Sequence, residues 1–239
     1  MPDADLSLAV PAVFFGSVGT AGQRCTSTRR LYLHRSIAPV FLEKLQALYA
    51  KVQPGDPLVS GTLLGPVHNH HAINVYSKAV ETLRKSGAEI LTGGARFTGL
   101  KDPLSGGNFV QPTISVPTST DPKSKIWSTE TFAPILNVAI FDELEQAIEW
   151  NNAVPQGLSS SLWTRDIRSV GKWIGPAGSD TGIVNVRSSR TWINDFLSYL
   201  NRLELDAQQV NVGTSGAEIG AAFGGNKVRF QVLRPSMQF

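Results

Sequence analysis

One cysteine stands in 239 residues. No intramolecular disulfide can therefore staple the chain, and a reducing compartment is the natural reading. Histidine is nearly as scarce, at four residues, three of them close together as His68, His70 and His71. Positions one and two apart do not share a helix face, and no cysteine lies near, so a solvated polar face is expected there and no metal site. No uninterrupted apolar run reaches the length of a membrane span, which excludes a membrane helix as the organising element. Net charge is only +3, with the positive residues spread along the chain. No basic stripe with interleaved aromatics exists, so nucleic acid is not an expected partner. The opening Met1-Pro2-Asp3-Ala4-Asp5 is acidic and unlike a signal or transit peptide, which favours a cytoplasmic location. A G-x-G-x-x-G after a strand is lacking too. The run Gly220 to Lys227 has phosphate-loop spacing but no glycine-lysine pair, and is rejected as one.

What is present suits a soluble α/β protein: 41% hydrophobic and 17% charged residues, enough for one large domain or two small ones. Asp3 and Asp5 are plausible helix starts ahead of Leu6, Ala9, Val10, Val13 and Phe14, with Pro11 marking either the true first turn or a kink. Arg30–His34 alternates as a strand, and Ser36 is expected to cap a helix through about Lys51. Val67 to Lys85 reads as a second amphipathic helix. Glu89–Leu91, Phe109–Val116, Ile135–Phe141, Gly157–Trp163 and Gly182–Asn185 read as extended. Helices are expected at Asp142–Asn152 and around Ile167–Ile174. Strands alternating with helices argue for a largely parallel sheet.

The lone thiol sits in Gly19-Thr20-Ala21-Gly22-Gln23-Arg24-Cys25-Thr26. By composition alone Cys25 is a small buried hydrophobe or a nucleophile, and only its setting decides. The glycines allow close backbone approach, Arg24 brings a permanent positive charge, and the Cys25 N–H lies where an oxyanion could accept it. These residues form a shaped loop rather than a helix or strand.

Gly22-Gln23-Arg24-Cys25 resembles the active-site cysteine motif of the aldehyde dehydrogenase superfamily, and Glu130-Thr131-Phe132-Ala133-Pro134 resembles its second signature. Pro54-Gly55-Asp56-Pro57, Leu64-Gly65-Pro66 and Gly157-Leu158-Ser159-Ser160 fall in the family's order. Thr214-Ser215-Gly216-Ala217-Glu218-Ile219-Gly220 is similar to the antiquitin-like branch, the α-aminoadipic semialdehyde dehydrogenases of lysine catabolism. The resemblance implies a catalytic domain over residues 1–227. It implies Cys25 as nucleophile toward an aldehyde, with its N–H as half of an oxyanion hole. Glu130 and Phe132 would serve the nicotinamide side of NAD, and Arg24, Ser215, Gly216 and Ala217 the distal end of the substrate. Phe223 would line the aldehyde tunnel.

Three departures from the family's pattern bear on function. The Rossmann-type cofactor domain, the water-activating glutamate and the oxyanion-hole asparagine belong to a part of the family's sequence that precedes this one. Residues 186–209 interrupt a run that would otherwise join Gly182-Ile183-Val184-Asn185 to Val210-Asn211-Val212-Gly213. That insert begins Val-Arg and ends Gln, as an intron read in frame would, and carries helical periodicity at Trp192, Phe196, Tyr199, Leu200 and Leu203. The family pattern stops at Lys227, leaving 228–239 as an unrelated tail. Two functions are therefore expected. One is a fragment of an NAD-dependent semialdehyde dehydrogenase. The other is a truncated, inactive subunit or product of retained introns, which at most associates with full-length homologous subunits. A mitochondrial location is the alternative for the full-length family member.

Overall fold

A computed structural model describes residues 1–187 and the strand Gln208–Val210. Helix α1 spans Leu6–Val18, capped by the Asp5 carboxylate, which accepts from the Ser7 N–H. Pro11 lies inside it without ending it. A single 3-10 turn, Gly19–Gly22, follows. Strand β1 (Arg30–His34) leads to α2 (Ala38–Tyr49), and α3 (His70–Lys85) to β2 (Glu89–Thr92). Next come β3 (Thr113–Val116), the one-turn α4 (Lys125–Ser128), β4 (Ile135–Phe141) and α5 (Leu144–Asn152). Strand β5 (Ser159–Trp163), α6 (Ile167–Ile174), β6 (Ile183–Arg187) and β7 (Gln208–Val210) complete the described elements.

Two sheets result. The first has the order β1-β4-β3-β2, parallel except for the antiparallel β2–β3 pair. The second, β5-β6-β7, is wholly parallel. The chain is thus α/β and largely parallel, as its alternation of elements implies. Strand β4 is buried at five of its seven positions, consistent with an apolar run covered on both faces. The main core packs Leu31 and Leu33 of β1, Leu136 and Val138 of β4 and Ile114 of β3 against α1, α2 and α3 through Val13, Phe41, Leu45, Tyr76 and Val80. A second core gathers Leu144, Leu162, Val170, Trp173, Val184 and Val186 around β5 and β6.

Several boundaries differ from the sequence reading for local reasons. Ser36 does not cap α2. Its hydroxyl turns back to His34 Nδ1 at 2.8 Å, and the helix starts two residues later, with Pro39 in its first turn. Helix α3 begins at His70 rather than Val67, because the Asn69 carboxamide accepts the Ala72 N–H and sets the cap there. Strand β6 runs on through Val186 and Arg187, and Gln208–Val210 pairs beside it, so both ends of the 186–209 segment are in strand. Its periodic stretch at Trp192–Leu203 lies outside the described residues, as does the 228–239 tail.

Candidate active site

The cysteine turn is built by backbone constraint. After α1 the chain must reverse toward β1 within a few residues, and it does so through left-handed backbone at Thr20 (φ 56°), Ala21 (φ 54°) and Gly22 (φ 66°). A β-branched threonine in that region is costly, on the order of 1–2 kcal/mol. Gly22 is obligatory on a second ground. A Cβ there would collide with the backbone carbonyl of Ala133. The turn therefore rests directly on the segment that follows Phe132. At Gly19 a Cβ would meet only the mobile end of the Arg24 side chain, so that position is not held by backbone in the same way.

Beyond Gly22 the turn is closed locally. The Arg24 N–H donates to Ser27 Oγ at 3.1 Å, and the Ser27 N–H donates back to the Arg24 carbonyl at 3.0 Å. The Thr28 N–H reaches the Gly16 carbonyl of α1 at 2.9 Å. Gln23 ties the turn sideways, its Oε1 accepting the His68 N–H at 2.8 Å. The outcome is an exposed Cys25 thiol raised on the buried run Thr26–Thr28. The inert buried-cysteine reading of the sequence is thereby set aside. Arg24 lays its guanidinium over the Phe15 ring, 4.7 Å from the centroid. Its Nε is buried and meets no acceptor among the described residues.

Arg29, which sequence reasoning passed over, contacts both the Cys25 turn and the Glu130–Phe132 segment. Its Nε donates to Glu130 Oε1 at 3.0 Å, with Nη2 also 3.0 Å from that oxygen. Its Nη1 donates to the Gly22 carbonyl and its Nη2 to the Arg24 carbonyl, each at 2.9 Å. Its Cζ lies 4.9 Å from the centroid of the Phe132 ring. Burial lowers the Arg29 pKa from its usual value, while the charge and hydrogen bond of Glu130 act in the opposite direction. A guanidinium stays charged throughout. Nothing in the sequence signals this role, because Glu130 is 101 residues away.

Glu130 and Phe132 flank Thr131 on the chain entering β4. The Glu130 side chain is 39% exposed. Phe132 is exposed and left-handed, at φ 53°. A bulky side chain held in that region is an outlier of the kind that collects at functional sites. Cys25, Arg29, Glu130 and Thr131 also share the lining of a cavity of about 180 Å³ with residues of β1 and β5. Ser215, Gly216, Ala217 and Phe223 lie outside the described residues. Among the described residues no cluster of three or more His, Cys, Asp or Glu could hold a metal ion. No helix among them is long and apolar enough to cross a membrane.

This thiol turn and its acidic neighbour occur within a stretch, residues 1–197, that matches the aldehyde dehydrogenase family model. The chain belongs to the aldehyde dehydrogenase family. Aldehyde dehydrogenase family 7 member A1 of Pisum sativum is 46% identical over 227 residues, which are 95% of this chain and 38% of the pea protein. Alpha-aminoadipic semialdehyde dehydrogenase of Mus musculus is 44% identical over 94% of this chain and 36% of its own length. The chain thus spans less than two fifths of either relative. Among solved aldehyde dehydrogenases, a putative one from Burkholderia cenocepacia superposes with a TM-score of 0.77 at 27% identity, covering 95% of this chain and 40% of that one. Betaine aldehyde dehydrogenase from Staphylococcus aureus, in complex with NAD+, gives 0.73 at 25% identity over 94% of this chain and 39% of its own.

Proposed function

We propose that this chain carries the thiol side of an NAD-linked dehydrogenase for a semialdehyde of the α-aminoadipic type. The observation that carries the reading is the joint placement of an exposed Cys25 with Glu130 and Phe132, bridged by one guanidinium. The Cys25 sulfur attacks the aldehyde carbon, giving a thiohemiacetal whose oxyanion is met by the Cys25 N–H. Loss of hydride from that carbon leaves a thioester on Cys25. Water then hydrolyses it, releasing the acid and the thiol. Bound NAD would supply the hydride acceptor. Glu130 would hold its ribose hydroxyls and Phe132 would pack against its nicotinamide. Arg24 and the Ser215-Gly216-Ala217 loop would receive the polar end of the substrate, and Phe223 would line its path. Residues 1–227 act in this reading as one catalytic domain, interrupted at 186–209.

A second reading follows from the sequence. Among the described residues none is assigned as a water-activating base or as a dinucleotide cradle, and hydride transfer needs the acceptor within near-attack distance. In this reading residues 1–239 by themselves are inactive in NAD reduction and at most associate with full-length subunits. Two assays separate the readings. An aryl acetate should acylate Cys25 once per chain, and Cys25→Ala should abolish the burst. Its absence from the unsubstituted chain would sink the thiol assignment. NAD reduction with α-aminoadipic semialdehyde should stay at background for the isolated chain, and turnover there would sink the inactive reading.

A further inference from the structure

We propose that Arg29 is the positioning residue of this site: its guanidinium fixes the Cys25 turn and the Glu130–Phe132 segment in one mutual geometry. The inference rests on Cys25 being the reacting thiol, and goes beyond it in assigning a role to a residue outside both signature motifs. Four observations converge. The fork grips the carbonyls of Gly22 and Arg24, which lie on the N-terminal side of Cys25. It grips Glu130 through Nε and Nη2. It faces the Phe132 ring. Its side chain is only 16% exposed, so water competes weakly for these donors.

Gly22 abuts the Ala133 carbonyl, which sets how closely the segments approach but not their angle. Glu130 and Phe132 carry exposed side chains on a connection between elements, and such a segment is mobile unless something grips it. A planar guanidinium gripping partners from two loops fixes direction as well as distance, which a lysine ammonium cannot reproduce. The same fork sets its positive charge against the Arg24 carbonyl, one peptide bond from Cys25.

The test uses the chain as it stands, where Cys25 is the sole thiol. Arg29→Met retains the stem and removes charge and fork. Arg29→Lys retains the charge alone. Two readouts are taken: the pH–rate profile of Cys25 alkylation by iodoacetamide, followed by mass, and amide hydrogen exchange of peptides covering Gly19–Thr26, Thr129–Ala133 and helix α3. In Arg29→Met, alkylation at neutral pH should slow about three- to tenfold, with the profile moved to higher pH, because thiolate reactivity follows nearby positive charge. Arg29→Lys should restore the profile. Both variants should lose protection in the two site peptides together, with α3 unchanged.

An unaltered alkylation profile in Arg29→Met, or loss of protection in one site peptide without the other, would overturn the proposal. Should Arg29→Met unfold, seen as lost protection in α3, the Lys variant's paired peptides decide the matter. Arg35→Met, which removes an exposed ion pair with Asp142, should leave both readouts at wild-type values. Failure of the dehydrogenase reading would appear elsewhere, as a Cys25 that no acetate ester acylates, and would leave the exchange result interpretable.

Discussion

Gly22 is the position where a single atom decides the site. Its φ of 66° lies in the left-handed region, and a methyl group there would meet the Ala133 carbonyl. Gly22→Ala is expected to lower stability by about 1–3 kcal/mol, the sum of backbone strain and a contact that must open. Thermal unfolding should show it as a lower midpoint. Because the lost contact joins the two halves of the site, ester acylation of Cys25 should fall in the same variant even well below its unfolding temperature. An acylation rate equal to wild type would mean the turn is held independently of Ala133. The lone cysteine among glycines beside an arginine is a local pattern that sequence can single out, and its side chain is exposed. Arg29 was not readable. Its meaning depends on a carboxylate 101 positions away, and two adjacent arginines before a strand look like ordinary solvated charge.

Elements with a strong period were legible for a plain physical reason. The apolar run Ile135–Phe141 is confined to one buried place and forms β4 over the range the sequence suggests. Helix α6 likewise keeps its expected bounds, because the Asp166 carboxylate accepts the Arg168 and Ser169 N–H groups and fixes the start. The one-turn helix Lys125–Ser128 was missed, since four residues carry no period to read. Its placement comes instead from Trp127, buried and donating its indole N–H to the Ser119 carbonyl.

Helix α3, packed into the main core, also carries a buried tyrosine hydroxyl. Tyr76 donates toward the carbonyls of Gln111 at 2.8 Å and Ala95 at 3.3 Å, and pairs with Thr113 Oγ1 at 2.8 Å. Burial raises its pKa, so it remains the neutral donor. Tyr76→Phe removes one donor while the Gln111 N–H still serves the Ala95 carbonyl and the Thr113 hydroxyl the Gln111 carbonyl, so it should cost about 0.5–1.5 kcal/mol. Denaturant unfolding with an unchanged m-value would check it.

Over the described residues, several surface carboxylates contribute to stability through their hydrogen bonds. Asp142, Glu145 and Asp166 all have pKa values lowered from the ordinary carboxylate position. Hydrogen bonds cause each shift first, from Arg35, Lys172 and Ser169 respectively. A folded-state value below the unfolded one means these groups stabilise the fold above the ordinary carboxylate pKa. That contribution is lost as the pH falls through the lowered values. These groups should make thermal midpoints decline below about pH 4. All three groups are exposed, so added salt should blunt the effect of the Arg35–Asp142 and Lys172–Glu145 pairs. A midpoint that rises on acidification would contradict this arrangement. The parallel α/β class was visible in the alternation of elements. The division into two sheets was not, since period and turn signals do not say which strand edges meet.

Left-handed backbone at Thr20, Ala21 and Phe132 also bears on how such a protein can be improved. A search that rewards heat resistance alone would drift toward glycine at these positions, because glycine relieves the conformational cost. It would thereby erase the side chain of Phe132 and loosen the turn beneath Cys25. Robustness and chemistry are in competition at three backbone positions. Libraries screened for one without the other should part company there first.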